Sequence, residues 1–184
     1  MQKLALIAAS MLAIATVASA QMEMSQDKSK RPSPPASAEC KFSDGTKVKV
    51  DYSSPRAKGR KIFGEAKENA VVPYGEVWRT GANEATTFVT SANIMVGGKA
   101  VPAGSYTVFT VPKADSWWLV ISKKTGEWGT GYPGEKEDLG RVPMKISRNG
   151  PPVENFLIAF DQGGSKCKLR MEWETTVASV EITK

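Results

Sequence analysis

Hydrophobic and polar residues alternate with a period of two along much of the chain. From Lys47 to Tyr52, Val48, Val50 and Tyr52 fall on one face, and Lys47, Lys49 and Asp51 fall on the other. From Lys166 to Trp173, Cys167, Leu169, Met171 and Trp173 oppose Lys166, Lys168, Arg170 and Glu172. Such alternation predicts antiparallel strands buried on one side only. Glu84–Ala92 is rich in Thr, Val and Phe. Ile94–Val96 and Lys99–Val101 flank Gly97-Gly98, a two-residue hairpin signal. Further strands are expected at Ser105–Val111, Trp117–Ser122, Arg141–Ile146, Glu154–Phe160 and Val177–Ile182. Trp117 and Trp118 are adjacent on a strand, so one should enter the core and the other should not. Lys58–Glu68 has room for one or two helical turns, and no segment carries a long amphipathic helix. The pattern predicts an all-β chain, a single antiparallel β-sandwich.

The first 39 residues break the pattern. Residues 1–20 combine Lys3, an apolar run from Leu4 to Val17 and the small-x-small triplet Ala18-Ser19-Ala20. We read this as a secretory signal cleaved after Ala20. The apolar run is short for a bilayer span, and no other approaches that length, so the mature chain has no expected transmembrane segment. Residues 21–39 are rich in Ser, Pro and charge and read as a disordered tether. Residues 40–184, about 145 in number, suffice for one domain around one core. The expected location is the periplasm or the extracellular space.

Export changes the meaning of the two cysteines. An oxidising compartment favours a Cys40–Cys167 disulfide. Closing so long a loop is worth roughly 4–5 kcal/mol in loop-closure entropy.

The net charge is +6, and loss of Lys3 with the signal would leave +5. This is mildly basic. It suits loose contact with anionic surfaces, and no nucleic-acid partner is expected. The chain has no histidine, which excludes Ser-His-Asp and Cys-His catalysis and makes the usual zinc sites improbable. No cofactor and no metal site are expected. Asp44-Gly45 and Asp161 with Gly163 lack the spacing of a calcium loop and read as turns.

Several blocks carry a resemblance: YSSPRAKGRKIFG (Tyr52–Gly64), VPYGEVWRTGANEATTF (Val72–Phe88), PAGSYTVFTVP (Pro102–Pro112), GEWG (Gly126–Gly129) and LRMEWETTVASVEI (Leu169–Ile182). Together they resemble the bacterial Domain of Unknown Function 2911 family, over nearly everything from residue 48 onward. The resemblance implies an exported, mostly β-sandwich domain and no assigned activity. The two cysteines are no part of it, so the disulfide rests on the export argument.

The most concentrated chemistry lies in VWRTGANEATTF, where Arg79, Asn83 and Glu84 stand within six residues. Two readings are open. Arg79 and Glu84 can form a bidentate ion pair that locks the loop. Alternatively, Arg79, Asn83 and Glu84 form the polar floor of a pocket whose guanidinium grips an anion. Arg56 and Arg60, with Lys58 and Lys61 around Gly59, either add charge to that pocket as an anion-binding loop or form a solvated basic face. Trp128 either stacks on a sugar ring or covers the end of the sandwich. The expected function is non-catalytic binding of an anionic or carbohydrate ligand. The alternatives are a histidine-free hydrolase drawing two carboxylates from Glu84, Glu127, Glu172 and Glu174, and a purely structural envelope protein.

Overall fold

A computed structural model describes residues 27–184. The signal sequence expected over residues 1–20, and the first part of the tether, lie outside the described residues. Strands β1 (Pro35–Lys41), β2 (Lys47–Ser53), β3 (Phe63–Gly64), β4 (Val72–Pro73), β5 (Thr86–Thr90), β6 (Ile94–Val96), β7 (Lys99–Val101), β8 (Gly104–Pro112), β9 (Trp117–Ser122), β10 (Asp138–Gly163) and β11 (Lys166–Thr183) follow in chain order. Among the described residues the helical content is three short 3-10 turns, one of them Ala66–Glu68 within the segment given room for a helix.

The chain is all-β. Nine strands form one sheet in the order β1-β2-β5-β8-β9-β10-β11-β6-β7, with every neighbouring pair antiparallel. β3 and β4 make a small parallel pair beside it. The two layers of the sandwich are joined through β10, whose first part pairs with β9 and whose second part pairs with β11. The segments Arg141–Ile146 and Glu154–Phe160, expected as separate strands, belong to this one strand. Between them Asn149–Pro152 bulges out, opposed only by Thr175, because Arg148 pairs with Thr176 and Val153 already pairs with Glu174.

The far end of the sheet curls back. Ala57 N–H donates to Glu154 O at 2.8 Å, and Phe156 N–H donates to Pro55 O at 2.8 Å, so the chain leaving β2 pairs with the free edge of β10. The disulfide between Cys40 of β1 and Cys167 of β11 crosses the same junction, with Cα atoms 6.3 Å apart. The core holds Val48, Val50, Phe88 and Val108 from one layer and Ile158, Leu169, Met171 and Ile182 from the other. One part of it is aromatic: Phe63, Trp78, Trp117, Phe156 and Trp173 pack with centroid separations from 4.8 Å (Phe63–Trp117) to 6.1 Å (Phe63–Trp173).

The alternation in β2 and β11 holds: Val48, Val50, Tyr52, Cys167, Leu169, Met171 and Trp173 are all buried. Trp117 is in the core and Trp118 is 40% exposed. Gly97 and Gly98 take φ of 53° and 84°, as a type I′ hairpin turn needs. β8 departs from the half-buried pattern, since Tyr106 through Val111 are buried on both faces. Its outer face carries Phe109 and Val111, which form a second cluster with Ala85, Val120, Val77 and Tyr132.

The N-terminal boundary moves. Ordered chain precedes Cys40: β1 starts at Pro35, and all seven of its residues pair with β2. The composition suggested a tether, but Ala36, Ala38 and Cys40 already alternate inward, and a small-residue edge strand is held mainly by its backbone hydrogen bonds.

Candidate functional site

Trp78 is tied to β8 through both of its backbone groups, N–H to Thr110 O at 2.8 Å and O from Thr110 N–H at 2.9 Å. This extended segment sends Val77 to the outer cluster and Trp78 to the inner aromatics, so Arg79 points outward. The chain then turns sharply. Thr80 has φ 57° and Asn83 has φ 56°. A left-handed β-branched residue costs of order 1–3 kcal/mol and persists only where its surroundings hold it. Here they do. Thr80 is fully buried. Its hydroxyl lies 3.3 Å from Trp78 O and 3.2 Å from the Thr110 hydroxyl, and its carbonyl accepts from Thr86 Oγ1 at 2.7 Å. Gly81 has no room for a side chain, because a Cβ would stand 2.9 Å from Ser53 O.

This turn separates the expected partners. Glu84 does not pair with Arg79. Its carboxylate accepts from Arg31 Nη1 at 3.0 and 3.3 Å and pairs with Lys28 at 3.0 Å. Asn83 donates its side-chain amide to Ser33 O at 2.9 Å. Arg56 Nη1 donates to Pro32 O at 3.0 Å. The chain's own segment 28–33 therefore lies across three of the residues expected to bind a ligand. Trp128 joins them: it forms a backbone bridge to Glu84, its ring sits 6.0 Å below the Arg31 guanidinium, and it is 61% exposed. Arg60 does not join them. Its Nε and Nη2 donate to Ala57 O and Arg56 O at 3.0 and 2.6 Å, folding the SPRAKGR loop onto itself. Lys28 and Arg31 were visible in the sequence only as part of a basic stretch, and nothing local linked them to Glu84, more than fifty positions away.

Arg79 stands apart. Its Nε–H is buried and has no acceptor among the described residues, and burial pushes its guanidinium below the usual arginine range. An unsatisfied buried donor costs about 1–3 kcal/mol, more when charged.

Burial pushes the Glu84 carboxyl up, but its own backbone N–H with Lys28 and Arg31 outweighs that and holds it at about 2. It is ionised at neutral pH and has no proton to give a leaving group. Among the other candidate carboxylates, Glu127 pairs with Lys124 at 3.3 Å and buried Glu172 pairs with Arg170. Asp44 accepts from Thr46 N–H at 2.9 Å and pairs with Lys184, while Asp161 pairs with Arg170 at 2.8 Å. Both act as turn and ion-pair residues. No cluster of three or more metal-ligating side chains occurs among the described residues.

The arrangement thus offers a half-buried Arg79 whose Nε–H is unspent, one exposed indole and a salt-bridged N-terminal segment between β1 and the loop. No curated protein and no solved structure matches the chain. Residues 33–182 match the family model described as a protein of unknown function, DUF2911; the match includes β1 and spans most of the chain, which belongs to that family.

Proposed function

We propose that the protein is an exported, non-catalytic binding module that takes an anionic or sugar-like ligand at the rim around Arg79. The observation that carries this reading is the buried Arg79 Nε–H without an acceptor. Folding has removed that donor from water without supplying a partner, and a ligand oxyanion would supply one. The strained Thr80 conformation fits the same view, since backbone strain gathers at ligand-binding loops. Trp128 supplies an exposed ring face for a sugar or an organic acid. Export is supported by the N-terminal pattern and by the Cys40–Cys167 disulfide.

The test is a calorimetric and fluorescence titration of the mature protein with sulfate, phosphate, small organic acids and neutral oligosaccharides. Wild type is expected to bind an anionic member, with a change in Trp128 emission that Trp128→Phe removes. Arg79→Met keeps the aliphatic stem and is expected to lose that response. In the absence of ligand it is expected to fold as stably as wild type or more so. A variant that keeps the Trp128 response, or that unfolds because the guanidinium was a structural tie, sinks the proposal.

A further inference from the structure

The basic loop SPRAKGRKIFG has a destination that the rim does not use. A surface cleft of about 360 Å³ is lined by Arg60, Lys61, Phe63, Tyr74, Arg148 and Glu174, with Ile62, Thr175 and Thr176 completing it. None of Arg79, Asn83 or Glu84 borders it. The cleft lies beside the bulge in β10. Arg148 is the last residue in register before Asn149–Pro152 bulges out, and Glu174, opposite, takes φ 51°. Bulges re-aim side chains, and this one brings an arginine from β10 to face the loop carrying Arg60 and Lys61.

The charges in the cleft are unevenly spent. Lys61 is paired with Glu68 at 2.5 Å. Arg60 uses two nitrogens on backbone carbonyls. Arg148 donates to the Thr176 hydroxyl and has no carboxylate partner among the described residues. Glu174 has no cation partner among them either. The cleft therefore presents the remaining guanidinium N–H groups of Arg148, with Nη1 of Arg60, to an oxyanion. It also presents an acceptor carboxylate and the hydroxyls of Tyr74 and Thr175, which suit ligand hydroxyl groups. Phe63, which packs on Trp117 at 4.8 Å, and buried Ile62 give one wall an apolar surface for a ring face.

We infer that this cleft is a second binding site, for a sugar-sized polyol carrying one oxyanion. Arg148 and Arg60 hold the oxyanion, and Glu174 accepts from the hydroxyls. The volume matches a small-molecule site rather than a polymer groove. The inference is independent of Arg79.

The experiment titrates the mature protein with glucuronate, glucose 6-phosphate and glucose, followed by calorimetry and by the amide NMR signals of Thr175 and Thr176. The two charged sugars distinguish a carboxylate from a phosphate preference. At least one is expected to bind and shift both signals, with glucose at least ten-fold weaker. Arg148→Ala is expected to weaken the binding read at the Thr175 and Thr176 signals ten-fold or more. Failure of both charged sugars to bind, equal binding of glucose, or undiminished binding by Arg148→Ala overturns the proposal. Should Arg148→Ala fold poorly, phenylglyoxal modification of wild-type Arg148, read by mass spectrometry, decides. Protection by the bound sugar supports the site, and unchanged modification rules it out.

Discussion

Two irregular stretches interrupt the sheet, and they are built in opposite ways. The turn Thr80–Glu84 is held from every side: by Thr110 and Thr86 on Thr80, by Ser53 against Gly81, and by Ser33, Arg31 and Lys28 on Asn83 and Glu84. The bulge Asn149–Pro152 of β10 is tied only at its first residue, where the Asn149 side-chain amide donates to Thr175 O at 3.1 Å and Glu174 O at 3.2 Å, and is open beyond it. Gly150 has open space where a side chain would go, and Arg148 has a single hydroxyl for a partner. In the first stretch an unusual backbone is imposed by packing, and the cost of change should be high. In the second, packing imposes little, and the charged groups remain available to solvent or ligand.

The sharpest way to break this comparison is a pair of glycine substitutions. Gly81→Ala drives a methyl group against a backbone oxygen and is expected to cost about 2–3 kcal/mol, lowering Tm by roughly 5–10 °C. Gly150→Ala is expected to stay within about 0.5 kcal/mol of wild type. Equal melting temperatures for the two variants would remove the distinction. Next in size is Thr80→Val, which keeps the shape and deletes the hydroxyl facing Trp78 O and Thr110. A loss of about 1–2 kcal/mol in urea denaturation is expected. Smaller again is Glu84→Gln, which loosens the N-terminal segment from the turn. Because Glu84 is partly solvated, the expected cost is about 0.5–1 kcal/mol, with faster amide exchange over residues 28–34 as the clearer readout.

The pH dependence sharpens the same contact. Glu84 is held at about 2, below its ordinary 4.5. The stability it contributes is therefore complete above pH 4.5 and is lost as pH falls through 2. The protection of residues 28–34 should persist at pH 5 and disappear in that lower window. Glu84→Gln should show no such step. The smallest effect is expected from Arg148→Ala, within about 0.5 kcal/mol of wild type by thermal denaturation.

The fold was legible wherever one face of a strand meets water. β2 and β11 announced themselves through Val48, Val50, Cys167 and Leu169 because their neighbours in sequence are charged and solvated. β8 did not follow the rule, since Phe109 and Val111 are covered by Val77 and Tyr132, residues supplied by distant loops. β1 escaped because Pro35, Ala36, Ser37 and Ala38 carry little apolar surface, and its pairing is a backbone matter. At the candidate site the sequence singled out Asn83, Glu84 and Trp128 separately, and the backbone bridge from Glu84 to Trp128 and the Gly129 N–H donated to Asn83 O are what bring them together. It could not show that left-handed residues at Thr80 and Asn83 turn Glu84 away from Arg79 toward Arg31. Nor could it show that Arg148, at the edge of a bulge, would line the same cleft as Arg60.

The disulfide has a mechanical consequence. Cys40 is the sixth residue of β1, and its bond passes directly to β11 on the other layer. Tension applied through the leading end of the chain can peel away the salt-bridged segment and the first residues of β1, but it then meets a covalent stop. Beyond that point the load enters β11 through sulfur, and the rest of the sheet is shielded from unzipping strand by strand.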